Sequence, residues 1–461
     1  MHKVTINGKT EYAENGTLLS DLLISAGSPA EHPCGCKGIC RKCTVSVNGK
    51  DELSCQYKII SDIDVTTAPT EAIYSETGAA ELHTSCESLC LALDIGTTTL
   101  ALALISSDKK QLVRVITRNN PQRIFGADIM SRIEYCRKNG VTRLQKVLTD
   151  TINEMLEELP VRADTLYVSG NTTMLHILFG IDCSSIGTAP YTPVFLEKKS
   201  VNAESIGVTA ADKVESLPCI SAFTGADIVA GLNLINMPEN GKHSLLIDLG
   251  TNAEIVLFSA ESSLCTAAAA GPCFEGANIS CGMSATEGAV YAYSENSAKT
   301  IGNAPVRGVC GTGLIDIVAH LLKNGILDET GYMENDFEIA DKVTLTRDDI
   351  RQYQLAKSAI YSAVLTLMCL KNVSLDDIET VYISGGFSGK INIENAVITG
   401  LIPEGLRDKC RAIRNSSLLG TVKYALEKNP LNEICTKARY IDLSESPSFS
   451  ELFIENIMFR N

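Results

Sequence analysis

Leu89-Cys90-Leu91-Ala92-Leu93-Asp94-Ile95-Gly96-Thr97-Thr98-Thr99-Leu100-Ala101-Leu102-Ala103-Leu104-Ile105 reads as a buried strand, a turn at Asp94 to Thr97, and a return strand. The pattern recurs downstream. Leu245-Leu246-Ile247-Asp248-Leu249-Gly250-Thr251-Asn252-Ala253-Glu254-Ile255-Val256-Leu257-Phe258 repeats the apolar run, the Asp-x-Gly-Thr turn and the return. Each copy is followed by a second matched segment, Leu166-Tyr167-Val168-Ser169-Gly170-Asn171 after the first and Val381-Tyr382-Ile383-Ser384-Gly385-Gly386-Phe387 after the second. A repeat of this order is the duplication of a whole lobe rather than a chance motif. Glycine and small hydroxyl residues let a hairpin backbone approach phosphate oxygens, and the aspartate can hold Mg²⁺, usually through water. Two such hairpins facing each other would grip the β- and γ-phosphates of a nucleotide.

Working outward, 461 residues exceed one ordinary core and predict several domains. Fifty-five acidic against forty basic residues give a formal charge of −15, which disfavours nucleic acid and anionic membrane surfaces as partners. No stretch approaches the roughly 20 apolar residues of a membrane span, and the N-terminus lacks the apolar core of a signal peptide. The expectation is a soluble, cytoplasmic α/β protein. Its 17 cysteines, in a reducing compartment, do not suggest a disulfide framework. Cys136, Cys183, Cys219, Cys265, Cys369, Cys410 and Cys435 stand singly and are expected to behave as small buried hydrophobes.

Cysteines concentrate only between Cys34 and Cys55. Before them, Val4 to Tyr12 reads as a hairpin around Asn7-Gly8, and Thr17 to Ala26 as a helix with Gly27 as its stop. The spacing Cys34-x5-Cys40-x2-Cys43, with Cys55 as a fourth thiol, is close to that of plant-type [2Fe-2S] ferredoxins. Four thiolates also suit zinc, but zinc sites usually show two C-x2-C knuckles and this segment has one. Cys36 is a fifth thiol in the same loop and could take the place of Cys34. A β run follows at Thr44 to Val47 and another at Ile63 to Thr67. The implied organisation is a small β-grasp, ferredoxin-like domain over 1–68, a linker over 69–88, and two duplicated lobes over 89–240 and 241–461.

At the duplicated hairpins the chain resembles the superfamily of acetate and sugar kinases, heat-shock ATPases and actin. The resemblance implies a two-lobed actin-like ATPase fold that binds ATP and Mg²⁺. Its first phosphate motif would comprise Asp94, Gly96, Thr97, Thr98 and Thr99, and its second Asp248, Gly250, Thr251 and Asn252. Gly385 and Gly386, within Ser384 to Phe387, would form the adenosine motif. Two connecting helices would run from Asp227 to Leu234 and from Ser416 to Leu426. In the sugar kinases a Gly-x-Asp at the start of the first connecting helix supplies the catalytic base, and Gly225-Ala226-Asp227 matches that place. Asp227 could equally be a helix N-cap. Asp128 in Phe125-Gly126-Ala127-Asp128 is a second acidic candidate, also readable as the start of a helix.

A [2Fe-2S] domain ahead of this ATPase looks like the reductive activators of corrinoid proteins. The match runs from about residue 3 to 461 and is carried by Asn120-Pro121-Gln122, Ser131-Arg132-Ile133, Gly170 to His176, Ala270 to Gly276, Gly308 to Asp316, and Gln354-Leu355-Ala356-Lys357. It implies ATP-dependent reduction of Co(II) corrinoid to Co(I) on a corrinoid protein of a methyltransferase system. An external electron donor and a homodimer are implied with it. Other readings are an activator of a different low-potential metalloenzyme, or a nucleotide-dependent binding module with a structural cluster. His176, alone in an apolar helix, is expected to be a satisfied core residue rather than a ligand.

Overall fold

A computed structural model describes residues 1–26, 43–67, 89–159, 162–239, 241–386 and 388–459. Gly27, Cys34, Cys36, Cys40, the expected linker 69–88 and Phe387 lie outside the described residues.

The N-terminal unit is a five-stranded mixed sheet, ordered Lys9–Ala13, His2–Ile6, Ile63–Thr66, Thr44–Val47, Lys50–Leu53. Asn7 and Gly8 both adopt positive φ, 49° and 84°, as a two-residue Asn-Gly hairpin demands. Alternating residues of the strands, Val4, Ile6, Val45, Val47, Ile63 and Val65, pack on Leu19, Leu22 and Leu23 of the helix Leu19–Ser25. That helix starts two residues later than the sequence suggests because Leu18 pairs as a bridge with Lys58.

The rest of the chain forms two six-stranded sheets built to one plan. In the first, the order is Ser200–Asn202, Ala211–Ser216, Ala163–Gly170, Leu89–Ile95, Thr99–Ser106, Gln111–Asn119. In the second it is Cys410–Ala412, Ile378–Gly385, His243–Leu249, Ala253–Phe258, Ser263–Ala268, Ala438–Tyr440. Each central strand pairs antiparallel with its hairpin partner and parallel with the strand that carries the Ser-Gly pair. Registers match too: Asp94 lies opposite Ser169 and Ala101, and Asp248 opposite Ser384 and Glu254. Both aspartates are therefore the penultimate residues of their strands. The turns proper are shorter than expected and begin at Gly96 and Gly250, because ladder pairing continues through the carboxylate positions.

Two helices cross between the sheets. The first, Ala226–Leu234, lays Ile228 and Leu232 on Leu246, Val256 and Phe258 of the second sheet. The second, Ser416–Glu427, lays Leu418, Val422 and Ala425 on Ala92, Ala101 and Ala103 of the first. Each half thus sends a helix onto the other's sheet. They meet at glycine: a Cβ on Gly420 would stand 1.8 Å from the carbonyl oxygen of Ala230, so any side chain there forces the helices apart.

The motif at Gln354 to Lys357 lies inside the helix Arg347–Lys371. The buried Lys357 ammonium donates to the carbonyls of Asn456 and Met458, at 2.6 and 2.5 Å, and so fastens the C-terminal segment to this helix. Cys136, Cys183, Cys219, Cys265 and Cys410 are buried as expected. Cys369 is not; it stands on the solvent side of the last turn of Arg347–Lys371, and Cys435 is only half-buried. Among the described residues no helix is long and apolar enough to cross a membrane.

Candidate functional site

The two central strands end at one cleft, and the start of the second connecting helix is wedged between their aspartates. Ser417 Oγ donates to Asp94 Oδ1 at 2.6 Å and shares a 2.9 Å hydrogen bond with Ser169 Oγ. On the other side Ser384 Oγ donates to Ser416 Oγ at 2.6 Å, and both hydroxyls lie beside the Asp248 carboxylate and favour its ionised form. Asn415, in the left-handed region with φ 36°, caps this helix by accepting from Leu418 N at 2.9 Å. One serine of the consecutive pair thus serves each lobe's aspartate.

Asp227 joins them from the first connecting helix. That helix begins at Ala226 with Gly225 as its N-cap, so Asp227 is a first-turn residue and not the cap. Its Oδ1 accepts from Ile228 N at 2.8 Å. Glu254 completes the group from across the hairpin. Asp94, Asp227, Asp248 and Glu254 each keep some solvent exposure at the cleft floor, but the walls around them remove most hydration.

Four carboxylates this close cannot all ionise cheaply. Loss of hydration raises Asp94 to about 6, opposed by the Ser417 hydrogen bond and helped by the charge of Asp248. Asp248 is also raised to about 6 by burial, against the hydrogen bonds of Ser384 and Ser416. Asp227 is pushed to about 7 by burial and by Asp248, and Glu254 well above the usual carboxylate range by burial and by Asp227.

The sign of the stability effect follows from these shifts. Between about pH 4 and 6 the native protein keeps a proton on Asp248 that the unfolded chain has lost; above this window both are ionised. In protein free of divalent cations the carboxylate therefore costs stability that grows as pH rises from 4 to 6, reaching at most about 3 kcal/mol. We expect Asp248→Asn to be close to wild type in stability at pH 4 and more stable than wild type at pH 7.5 in chelator. Denaturant melts at the two pH values measure this, and a gap that shrinks with rising pH would refute the assignment.

The first hairpin closes with Gly96 N donating to Thr99 O at 3.0 Å, and the second with Gly250 N donating to Asn252 O at 2.9 Å. The first is fixed from behind. Asn120 Nδ2 donates to Gly96 O at 2.8 Å, Arg132 Nη2 to Thr97 O at 2.6 Å, and Asn171 Nδ2 to Thr97 Oγ1 at 3.2 Å. Arg132 is fully buried, which pushes its guanidinium down to about 9, and Gln122 is a further acceptor for it. The segments at Asn120 to Gln122, Ser131 to Ile133 and Gly170 to Asn171 are thus one support for the first hairpin. Glu275 bridges the two hairpins: Thr98 Oγ1 donates to its Oε1 at 3.2 Å and Thr251 Oγ1 to its Oε2. Gly385 ends its strand at φ 119°, where a Cβ would stand 2.1 Å from Leu249 O, and Gly386 follows with open space around it. Among the described residues no group of three His, Cys, Asp or Glu side chains is arranged as a metal cage.

Not every expected residue joins the cleft. Asp128 accepts from Ser131 N at 2.7 Å and closes a capping box at the start of Ile129–Asn139, so its carboxylate serves that helix. His176 is a satisfied core residue: Val194 N donates to its Nε2 at 3.0 Å, which leaves Nδ1 to donate to Thr172 O at 2.7 Å. Ser416, Ser417, Arg132, Glu254 and Glu275 also join the site; Arg132 and Glu275 lie in stretches that carry the resemblance, Glu254 in the repeated hairpin and the two serines in the second connecting helix, but none is singled out there as a site residue. The repeated Ser-Gly pair does mark Ser169 and Ser384. In the N-terminal unit, Cys43 and Cys55 are both buried with their sulfurs 3.3 Å apart. Two thiols facing each other, in the same short segment as Cys34 and Cys40, fit a shared soft-metal or cluster site.

Comparisons with known proteins agree along the chain. Residues 89–240 match the description "RACo middle region", and residues 242–461 match "C-terminal domain of RACo the ASKHA domain". A corrinoid activation enzyme, RamQ, of Eubacterium limosum is 25% identical, with 96% of each chain covered. The Co(II) methylated amine-specific corrinoid protein reductase of Methanosarcina barkeri is 25% identical, over 79% of this chain and 76% of that one. A solved structure titled a reductive activator for corrinoid,iron-sulfur protein superposes with a TM-score of 0.74 at 25% identity, covering 100% of this chain and 98% of that one.

Proposed function

Because this chain belongs to the RACo family of reductive activators, whose C-terminal part is an actin-like ATPase domain, we propose that it uses ATP to drive one electron onto the Co(II) corrinoid of a methyltransferase system's corrinoid protein. The product is the Co(I) form, which can accept a methyl group again. The observation that carries this reading is the cleft itself: two duplicated hairpins, each backed by a serine-held aspartate, joined by one carboxylate.

In this reading the hairpin tips at 97–99 and 251–252 hold the β- and γ-phosphates with their amides and hydroxyls, while the Gly96 and Gly250 amides close the hairpins. Asp94 and Asp248 orient water around the Mg²⁺ that arrives with ATP. Asp227, raised to about 7, is suited to take the proton of an attacking water near neutral pH. Gly385 and Gly386 leave room for the adenosine. Cys34, Cys40, Cys43 and Cys55 hold a [2Fe-2S] cluster, which when bound supplies a one-electron carrier near about −400 mV. The chain is assigned a ferredoxin-like domain over 1–68, a linker over 69–88 and lobes over 89–240 and 241–461, in a cytoplasmic homodimer fed by an external donor.

ATP is needed because the transfer is uphill. Each 100 mV against one electron costs roughly 2.3 kcal/mol, and nucleotide-driven closure can meet this by favouring a complex in which the cobalt is easier to reduce. The test mixes the purified, reduced protein with a Co(II) corrinoid protein of a methylamine methyltransferase system and follows the cobalt optical spectrum. Co(I) should form with ATP and not without it. Equal Co(I) formation in both arms, or none with corrinoid proteins of several methyltransferase systems, overturns the proposal.

A further inference from the structure

We propose that Glu275 is a positioning residue that competes with the terminal phosphates of the nucleotide for the hydroxyls of Thr98 and Thr251, and so acts as a latch between the lobes that ATP must displace. The inference rests on the ATP reading of the cleft.

Its backbone is held still. Glu275 ends the short turn Pro272–Glu275, flanked by Gly271 and Gly276 at φ 75° and 78°. The preceding Cys273 and Phe274 are buried in the core of the second lobe. A Cβ on Gly276 would stand 2.3 Å from Met283 O, and one on Gly311 2.1 Å from Phe274 O, so the turn is clamped from two sides. The backbone is therefore fixed, and only rotation about the Glu275 side chain can move the carboxylate. Its two oxygens take one hydroxyl from each lobe, Thr98 on Oε1 and Thr251 on Oε2.

Those hydroxyls are what a triphosphate between the hairpins would seek. A carboxylate and a phosphate oxygen are both acceptors and both negative, so they cannot share these donors at hydrogen-bond distance. The neighbourhood makes the competition sharper. Asp94, Asp227, Asp248 and Glu254 crowd the same cleft, and the buried Arg132, which feels the charge of Glu275, is committed to the Thr97 carbonyl behind the hairpin. Without nucleotide the latch ties hairpin to hairpin. With nucleotide the phosphates take over that tie and the carboxylate swings out, so occupancy of the cleft changes what holds the lobes together.

Titration calorimetry of the full chain with Mg-ATP and with AMP, which lacks the phosphates that reach the hairpins, tests this in wild type, Glu275→Gln and Glu275→Ala. Removing the charge should tighten Mg-ATP on the order of tenfold in both variants, while AMP affinity stays at the wild-type value. Amide exchange at 96–99 and 250–252 should be faster in nucleotide-free Glu275→Ala than in wild type, and saturating Mg-ATP should erase the difference. Unchanged or weaker Mg-ATP binding in both variants overturns the latch while leaving the ATP site standing. Failure of the wild type to bind Mg-ATP at all overturns the ATP reading and the latch with it.

Discussion

Asp248→Ala should lower ATP hydrolysis on the order of a thousandfold and stop Co(I) formation, while the visible and paramagnetic signals of the proposed [2Fe-2S] cluster stay as in wild type. The size of the effect follows from position. Asp248 sits one residue before the end of the central strand, paired in register with both Ser384 and Glu254. The hydroxyls of Ser384 and Ser416, rather than a cation among the described residues, favour its ionised form. A carboxylate kept at that cost to the fold has a partner that arrives later, and Mg²⁺ on a nucleotide is such a partner. The loss cannot be blamed on unfolding. Removing one of four crowded carboxylates relieves repulsion, so above pH 6 the variant should be at least as stable as wild type in chelator. Hydrolysis within tenfold of wild type would take Asp248 out of the phosphate site.

How much of this is legible in the sequence depends on the range of the forces involved. The duplicated hairpins are readable because a buried strand pair leaves a local signature, apolar runs on either side of a small-residue turn. The expected turns start too early, at Asp94 and Asp248, because an aspartate looks like a turn residue even where the backbone ladder carries it to the strand end. The Asn7-Gly8 hairpin is readable for the same local reason. The two connecting helices are placed by the resemblance, but which sheet each covers has no local signature, since it depends on contacts between segments as far apart as Asn233 and Gly420. Asp227 is found by motif, and only the folded helix separates its first-turn place from that of a cap. Glu254 and Glu275 sit inside stretches that the sequence marks, the repeated hairpin and the run from Ala270 to Gly276, but only the folded cleft shows what they face. Cys369 misleads because a helix with many buried positions still has an outer face.

Cys43→Ser carries the second large effect, opposite in kind. The cluster signals and Co(I) formation should be lost, and ATP binding and hydrolysis should remain within about twofold of wild type, since changes remote from a site and sharing no partners with it leave it nearly unaltered. The chemistry behind the first half is that a serine hydroxyl, unlike a thiolate, is a poor ligand for the soft iron-sulfide unit. Cys43 leads directly into the strand Thr44–Val47, and Cys55 follows the strand Lys50–Leu53 that pairs with it. That hairpin is what brings the two sulfurs to 3.3 Å. The second half rests on the cores. Val4, Ile6, Leu19, Leu23, Val45, Val47, Ile59 and Val65 form a cluster separate from those under the two ATPase sheets, so damage at Cys43 has no packed route to the cleft among the described residues. Electron delivery and nucleotide chemistry are then separable in one chain and coupled only when the corrinoid protein is present. If Cys43→Ser kept the cluster spectrum, the ligand set would have to be redrawn around Cys36. If it abolished ATP hydrolysis in a protein whose ATPase lobes still melted cooperatively, the two halves would be coupled before any partner binds.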